Sequence, residues 1–426
     1  MILLSNKSNE QIVRLVASIH GQTNPASFVL QHPNMDPLLR SWLAEQIHCR
    51  KKAQIKHPTL FAHRCIFSKQ ALEQSTSEAV AQAKIQYLHS LLPFSKLADL
   101  TGGMGAETLA AWRLCSDLHY VEPNEHLHRM LHFNLAQLEW DGPHWVGHKS
   151  TAEAFLDLYA HETKPRFDLL LLDPDRRAHG TKNHNMEEAS PNPFKLEHKL
   201  LKLGTTLVVK HSPMADPHAL VQAFKHVFKI LIIAHKNEVK EVCTIHSLPG
   251  TANTQQTTQT SITLLEIDVL GCVHSLDLGR PKLIAPLFSK TPDYIMVPSR
   301  VMLKSGYYKH FAAQNNACTL SSNAPYFGLN KPLISPWNTC FKRLHTMPFS
   351  EKSLSKWLKI NQISKLNVSA RGFYMKAPEI EKKWKLAPSD LYYGFFYKNA
   401  QNKAEFSFAM IVKDLNNPIS TPHVKS

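Results

Sequence analysis

Leu97-Ala98-Asp99-Leu100-Thr101-Gly102-Gly103-Met104-Gly105-Ala106-Glu107-Thr108-Leu109 is the stretch that decides the fold. Apolar residues around Asp99 read as a short buried strand, and Ala106 to Cys115 is rich in helix formers. The three glycines between them let the backbone turn sharply and approach a ligand that any Cβ would push away. They bring that ligand to a helix start with free N–H groups.

Working outward, short apolar runs alternate with amphipathic helical stretches, the pattern of a parallel α/β sheet. The runs are LADL (97–100), LHYV (118–121), HWVG (144–147), FDLLLL (167–172), TLVVK (206–210) and ILIIA (230–234). VKEVCTIH and ITLLEIDV flank a Gly/Thr/Gln-rich loop at 250–260 and read as antiparallel edge strands. The expected fold is α/β, a Rossmann-like doubly wound sheet over 94–285. Before it, residues 1–93 read as a helical region punctuated by Pro25, Pro33, Pro37 and Pro58, with Ser75 or Thr76 able to cap a long helix ending near Leu92. After it, 286–415 reads as a small α+β module, with Ser299 to Gln314 helical and LNVSA, LYYGFFY and FSFAMIV as strands, followed by a flexible tail at 416–426.

A glycine turn of this kind suits a dinucleotide, a nucleoside triphosphate or S-adenosylmethionine. No Gly-Lys-Ser/Thr follows, which removes the P-loop, and the third glycine of the dinucleotide fingerprint is missing. Asp99, just before the glycines, favours the methyl donor, because a carboxylate there can pair with its ammonium group. Glu122 ends the second strand, where a carboxylate can accept both ribose hydroxyls. The fourth strand runs into Asp173-Pro174-Asp175-Arg176-Arg177, which places those residues at the carboxyl edge of the sheet, where open α/β sheets bind ligands.

Together these segments resemble the class I S-adenosylmethionine-dependent methyltransferases, and more closely the bacterial family that adds a C-terminal THUMP-like domain. The resemblance spans roughly 70–415 and rests on EQSTSEAVA (73–81), LADLTGGMGAET (97–108), VEPN (121–124), LLLDPDRR (170–177), VVKHSPMAD (208–216), NEVKEV (237–242) and VPSRVMLKSGYYK (297–309). It implies that Asp99, Thr101, Gly102, Gly103 and Gly105 form the cofactor loop, with Glu122 on the ribose and Ser150 after the third strand. Asp173, Pro174, Asp175 and Arg176 would form the catalytic edge. Arg177, Lys210, Ser212 and Pro213 would face the acceptor. Base-amino methyltransferases usually carry a second proline and an aromatic where this chain has Asp175 and Arg176. Gln74, Ser75 and Ser77 are candidates to close over the cofactor. No metal is expected: His128 and His132 stand at i and i+4 without an evident third ligand.

Charge points to the partner. Nineteen Lys and Arg stand against seven Asp and Glu between 291 and 426, so +12 of the formal +15 lies in the last third. That asymmetry suits a polyanion, RNA of the tRNA or rRNA kind, although a solvated lysine-rich surface would give the same count. Lysines of the C-terminal module are interleaved with aromatics able to stack on unpaired bases. The seven scattered cysteines form no C-x-x-C pair, and no apolar run reaches about 18 residues, so the expectation is a cytoplasmic protein without a membrane span. The expected function is RNA methylation. Methylation of a small molecule or protein, and RNA binding with a vestigial cofactor fold, are the alternatives.

Overall fold

A computed structural model of the chain describes residues 7–138, 144–161, 165–175, 189–247, 260–279, 292–321, 323–399 and 401–413. Arg176, Arg177, most of the 250–260 loop and the 416–426 tail therefore lie outside the described residues. The chain divides into two compact units. The first comprises Met1–His235, Lys240–Ser261 and Val269–Val273; the second comprises Lys236–Val239, Ile262–Asp268 and His274–Ser426.

The first unit begins with six helices: α1 (Asn9–Ser18), α2 (Pro25–Gln31), α3 (Pro37–Lys56), α4 (Pro58–Ala62), α5 (Lys69–Gln74) and α6 (Glu78–Leu91). Pro25, Pro37 and Pro58 each occupy a first helical position, where the missing N–H costs nothing, and Asn24 and Asp36 cap the first two of these. Ser75 does not cap the long helix. It ends α5 and donates to the Leu72 carbonyl at 3.1 Å, while Ser77 starts α6 without a side-chain cap.

Next come β1 (Lys96–Asp99), α7 (Ala106–Ala111), β2 (Asp117–Val121), α8 (Glu125–Gln137), β3 (His144–His148), α9 (Ala152–Leu158), β4 (Phe167–Leu172), α10 (Pro193–Leu203), β5 (Gly204–His211), α11 (Pro217–Ala223), β6 (Val227–His235) and β7 (Glu238–His246). Strands run in the order β3-β2-β1-β4-β5-β7-β6. The first five are mutually parallel and β7 runs antiparallel to β5. The order reverses between β1 and β4, which is where doubly wound sheets open a crevice at their carboxyl ends. One core layer packs Leu170 and Leu172 of β4 with Phe155 of α9 and Leu200 of α10. On the other side, Phe67 and Leu72 of the N-terminal region pack with Met130 and Phe133 of α8. The N-terminal helices are thus part of the sheet's own covering.

The second unit holds β8 (Ser261–Ile267), β9 (Val273–Asp277), β10 (Tyr294–Pro298), α12 (Arg300–Ser305), α13 (Tyr308–Gln314), β11 (Cys318–Thr319), β12 (Phe327–Leu329), β13 (Asn338–Pro348), α14 (Glu351–Ile360), β14 (Asn367–Ala370), α15 (Ala377–Trp384), β15 (Tyr392–Lys398) and β16 (Ala404–Val412). One sheet runs β11-β12-β10-β13-β16-β15-β14. The helix expected over Ser299 to Gln314 is two, because Gly306 at φ 78° takes the left-handed conformation that ends α12. Phe395 and Tyr397 of β15 enter one core with Tyr326 and Phe341, while Phe396 enters another with Trp357, Phe406 and Phe408. Those three aromatics are structural. Tyr374 is 63% exposed, with its ring centroid 4.5 Å from that of Phe373. No helix among the described residues is long and apolar enough to cross a membrane.

Candidate active site

Pairing of Asp99 with Leu171 sets the register of β1 against β4, so the glycine turn and the Asp173 edge leave the sheet side by side. The Asp173 amide N–H donates to Thr101 Oγ1 at 2.6 Å and joins the two directly. Between β1 and α7 the turn is held by short bonds. Gly102 N–H donates to the Val121 carbonyl at 3.0 Å, and the Tyr120 hydroxyl donates to the Gly103 carbonyl at 2.7 Å. A Cβ on Gly102 would stand 2.0 Å from the Tyr120 ring, and one on Gly105 2.7 Å from Leu131. Gly105 also sits at φ 79°. These glycines are needed to seat the turn on β2 and α8.

Asp99 is buried and accepts from Thr108 Oγ1 at 2.7 Å. Burial, reinforced by nearby Glu107, pushes its carboxyl up from 3.8 to about 7. Such a carboxyl is poised to ionise fully when a cation arrives. Glu122 accepts from Gly103 N–H at 2.9 Å through Oε2 and from Asn124 N–H at 2.7 Å through Oε1, and burial raises its pKa. It therefore ties the glycine turn to the end of β2, a role the sequence reading did not assign, and each oxygen keeps a lone pair for a ligand hydroxyl. Glu122→Gln puts an amide NH2 against one of these donors. The expected cost is about 1–2 kcal/mol, read as a lowered midpoint in urea unfolding.

These groups line a cavity of about 1390 Å³, above the usual size of a small-molecule pocket and roomy enough for a donor beside an acceptor. Asp99, Thr101, Gly102, Gly103 and Glu122 line it from the glycine side. Asp173, Pro174, Asp175 and Lys210 line it from the β4–β5 side. Gly105, Ser150, Ser212 and Pro213 are not among the lining residues; Gly105 instead packs against Leu131 of α8. Among the described residues the buried Ser150 hydroxyl has no hydrogen-bond partner, and Ser212 Oγ accepts from Met214 N–H at 3.1 Å. Thr151, Ala152 and Glu153, which follow Ser150, do line the cavity. Asp175 also exchanges two backbone bonds with Ser190, at 2.9 and 3.0 Å.

The N-terminal helical region supplies a wall that the sequence reading only touched. Gln74, Ser75 and Thr76 line the cavity, together with Trp42 and Phe67. His57 Nε2 lies 2.8 Å from Ser75 Oγ, and Lys56 donates to the Leu72 and Glu73 carbonyls at 2.7 and 3.0 Å, so α3 and the start of α4 clamp the segment leading to α6.

Beneath the cavity lies a chain of charges. Lys210 Nζ donates to Asp173 Oδ2 at 2.6 Å and to Thr76 Oγ1 at 3.0 Å, and stands 3.9 Å from Glu241. Lys84 Nζ lies 2.8 Å from Glu107 and 3.1 Å from Glu241. Burial works against both ammonium charges. Glu107 and Glu241 outweigh it at Lys84, and Asp173 and Glu241 at Lys210, so both lysines stay above their ordinary range. Burial also opposes ionisation of Glu107, yet Lys84 and Lys210 hold its carboxyl well below the usual carboxylate range. Glu241, 157 residues from Lys84 in the chain, stands in a motif that carried the family resemblance but had no assigned role. His128 and His132 have ring centroids 4.9 Å apart, and among the described residues no group of three His, Cys, Asp or Glu is placed to hold a metal.

The backbone follows the crystal structure of a proposed methyltransferase from Porphyromonas gingivalis W83, with a TM-score of 0.80 at 21% identity, over 96% of this chain and 100% of that one. Weaker likenesses include a proposed methyltransferase from Escherichia coli (17% identity, 41% of this chain and 89% of that one, TM-score 0.27) and an rRNA methylase from Streptococcus thermophilus (16%, 39% and 94%, TM-score 0.27). Those two scores are too low to carry an argument. No curated protein matches the sequence. Residues 339–414 match the family described as THUMP domain-like. The chain joins the α/β fold of a methyltransferase to a C-terminal THUMP-like domain.

Proposed function

We propose that this protein is a cytoplasmic S-adenosylmethionine-dependent methyltransferase whose acceptor is a base nitrogen or oxygen of a tRNA or rRNA. The observation that carries the reading is the glycine cradle with buried Asp99 and Glu122 at the point where strand order reverses, joined through Thr101 to the Asp173 edge. In this reading Asp99, Thr101, Gly102, Gly103, Gly105 and Glu122 hold the donor. When bound, S-adenosylmethionine supplies a methyl group on a sulfonium that is already activated. The chain's own task is then chiefly alignment, which holding two reactants in register can supply. Asp173, fixed by the hydrogen bond from its amide N–H to Thr101 Oγ1 and by its ion pair with Lys210, orients an N–H or O–H group of the acceptor. Pro174 shapes the turn and Asp175 follows it at the cavity wall, while a role at the acceptor for Arg176 and Arg177, which lie outside the described residues, rests on the sequence alone. Ser150, Ser212 and Pro213 are left as neighbours of the site.

The proposed division of labour follows the segments at 1–93, 94–285 and 286–415, with the last holding RNA. Its excess of lysine and the THUMP-like match at 339–414 support that assignment. RNA binding is expected to weaken steeply with salt, by roughly 0.7 log units in affinity per log unit of salt for each phosphate contact to a single strand. A flat salt response in a filter-binding series would argue for a small-molecule or protein acceptor. The direct test compares modified nucleosides by mass spectrometry in RNA from cells with and without the gene. Loss of one methylated nucleoside is expected, and an unchanged nucleoside profile in every RNA fraction would sink the RNA reading.

A further inference from the structure

We infer that Glu241, acting through Lys84 and Lys210, makes the cavity select a cationic donor over its uncharged-sulfur product. The inference rests on the proposed function, since it concerns the charge of that donor. Three carboxylates (Glu107, Glu241 and Asp173) share two ammonium groups (Lys84 and Lys210) within 2.6–3.9 Å of one another. The formal balance of this set is one negative charge.

Its placement is what gives that charge an address. Side-chain exposure is 3% at Lys84, 2% at Glu241, 17% at Glu107 and 18% at Lys210, but 48% at Asp173. Four of the five line the cavity; only Glu241 lies behind the wall. Charges so enclosed are poorly screened by water or salt, so the surplus acts on whatever occupies the cavity. A merely structural core would do as well with apolar residues of similar volume, because burying ion pairs is often no more stabilising than burying hydrocarbon.

Glu241 is the member that carries the surplus of this set. It stands between the two lysines, 3.1 Å from Lys84 and 3.9 Å from Lys210, and is not itself among the residues that line the cavity. Without it each lysine still has one carboxylate, Glu107 for Lys84 and Asp173 for Lys210, and the set becomes neutral. Glu241 is therefore a positioning residue. It fixes the two lysines and supplies the surplus charge without meeting the ligand. S-adenosylmethionine carries a positive sulfonium, whereas S-adenosylhomocysteine has a neutral thioether and otherwise the same groups, so the pair measures this surplus.

The test is calorimetric titration of the full-length protein with both compounds at low salt. Glu241→Gln is expected to weaken S-adenosylmethionine about tenfold and to leave S-adenosylhomocysteine within about twofold. Lys210→Met, which makes the set more negative, is expected to move the ratio of the two affinities the other way, even where both affinities fall. A purely structural role would weaken both compounds alike in each variant. Parallel changes in Glu241→Gln, or ratios moving in the same direction in the two variants, would overturn the inference while leaving the donor reading intact. Failure of the wild-type protein to bind either compound would overturn the donor reading itself. If Glu241→Gln does not fold, Glu107→Gln removes one negative charge from the same set and is read by the same ratio.

Discussion

Lys84→Met is expected to lower the stability of the protein by about 3–5 kcal/mol, the cost of leaving buried charge without its counterion. Lys84 Nζ is shared between Glu107 at 2.8 Å and Glu241 at 3.1 Å, and its side chain is 3% exposed. Its removal leaves two carboxylates facing one another with only Lys210 nearby. Against a typical total of roughly 5–15 kcal/mol this is a large fraction, so urea unfolding at pH 7 will resolve it easily. The pH dependence gives a second signature. In the wild type, Glu107 is held below its ordinary value of 4.5, so it contributes stability above that pH that is lost as pH falls through its folded value. In the variant the same carboxyl, deprived of Lys84, is raised by burial, and protonation on the acid side relieves the repulsion. The gap between the two proteins is therefore expected to narrow as pH falls, first above 4.5, where the variant's raised carboxyl takes up its proton, and further below 4.5, where the wild type loses its own contribution. A loss under about 1 kcal/mol at pH 7 would mean that Lys84 is not what balances the two acids.

Asp99→Asn is expected to separate stability from ligand binding. Its carboxyl titrates near 7 in the folded protein against an ordinary 3.8, so the folded state favours the protonated form. That contribution is fully present below 3.8 and is lost as pH rises through about 7. Asparagine removes the buried charge and can keep one bond with Thr108, so the variant is expected to gain on the order of 2 kcal/mol relative to wild type at pH 8. Binding should move oppositely. A charge-assisted bond from the carboxylate to the donor's ammonium is worth roughly 1.5–3 kcal/mol, so affinity for S-adenosylmethionine is expected to fall about ten- to hundredfold. Wild-type affinity should also rise between pH 6 and 8, while that of the variant stays flat. A variant that is both less stable at pH 8 and unaltered in affinity would contradict both halves.

The parts of the fold that depend on local chemistry were readable in the chain. The continuous apolar run of β4, the glycine turn and the prolines at helix starts each act over a few residues, and Pro25, Pro37 and Pro58 stand where such prolines belong. β13 was not read. Its segment Asn338–Pro348 mixes Lys342, Arg343 and His345 among apolar residues without a period of two, and a register shift against β16 between Arg343 and His345 breaks the alternation. The break at Gly306 and the start of α6 at Ser77, rather than at Ser75 or Thr76, are decisions of one or two residues that helix-forming patterns on either side conceal.

At the site, Asp99, Glu122 and Asp173 were legible because strand ends in an α/β sheet have fixed roles. The charge network beneath them was not. Lys84, Glu107, Lys210 and Glu241 come from α6, α7, β5 and β7, and only the folded sheet brings them within 4 Å. Lys210 alone had a signal, as a lysine ending a strand at the ligand edge. Ser150 follows the third strand, yet the cavity wall there is made by Thr151, Ala152 and Glu153.

The central claim is that the glycine cradle is a methyl-donor site governed by Asp99, and calorimetric titration of wild-type and Asp99→Asn protein with S-adenosylmethionine at pH 7.5 tests it most directly. Saturable one-to-one binding by the wild type, weakened at least about tenfold in the variant, is the expected result. No binding by the wild type, or equal affinity in the two proteins, would contradict the claim.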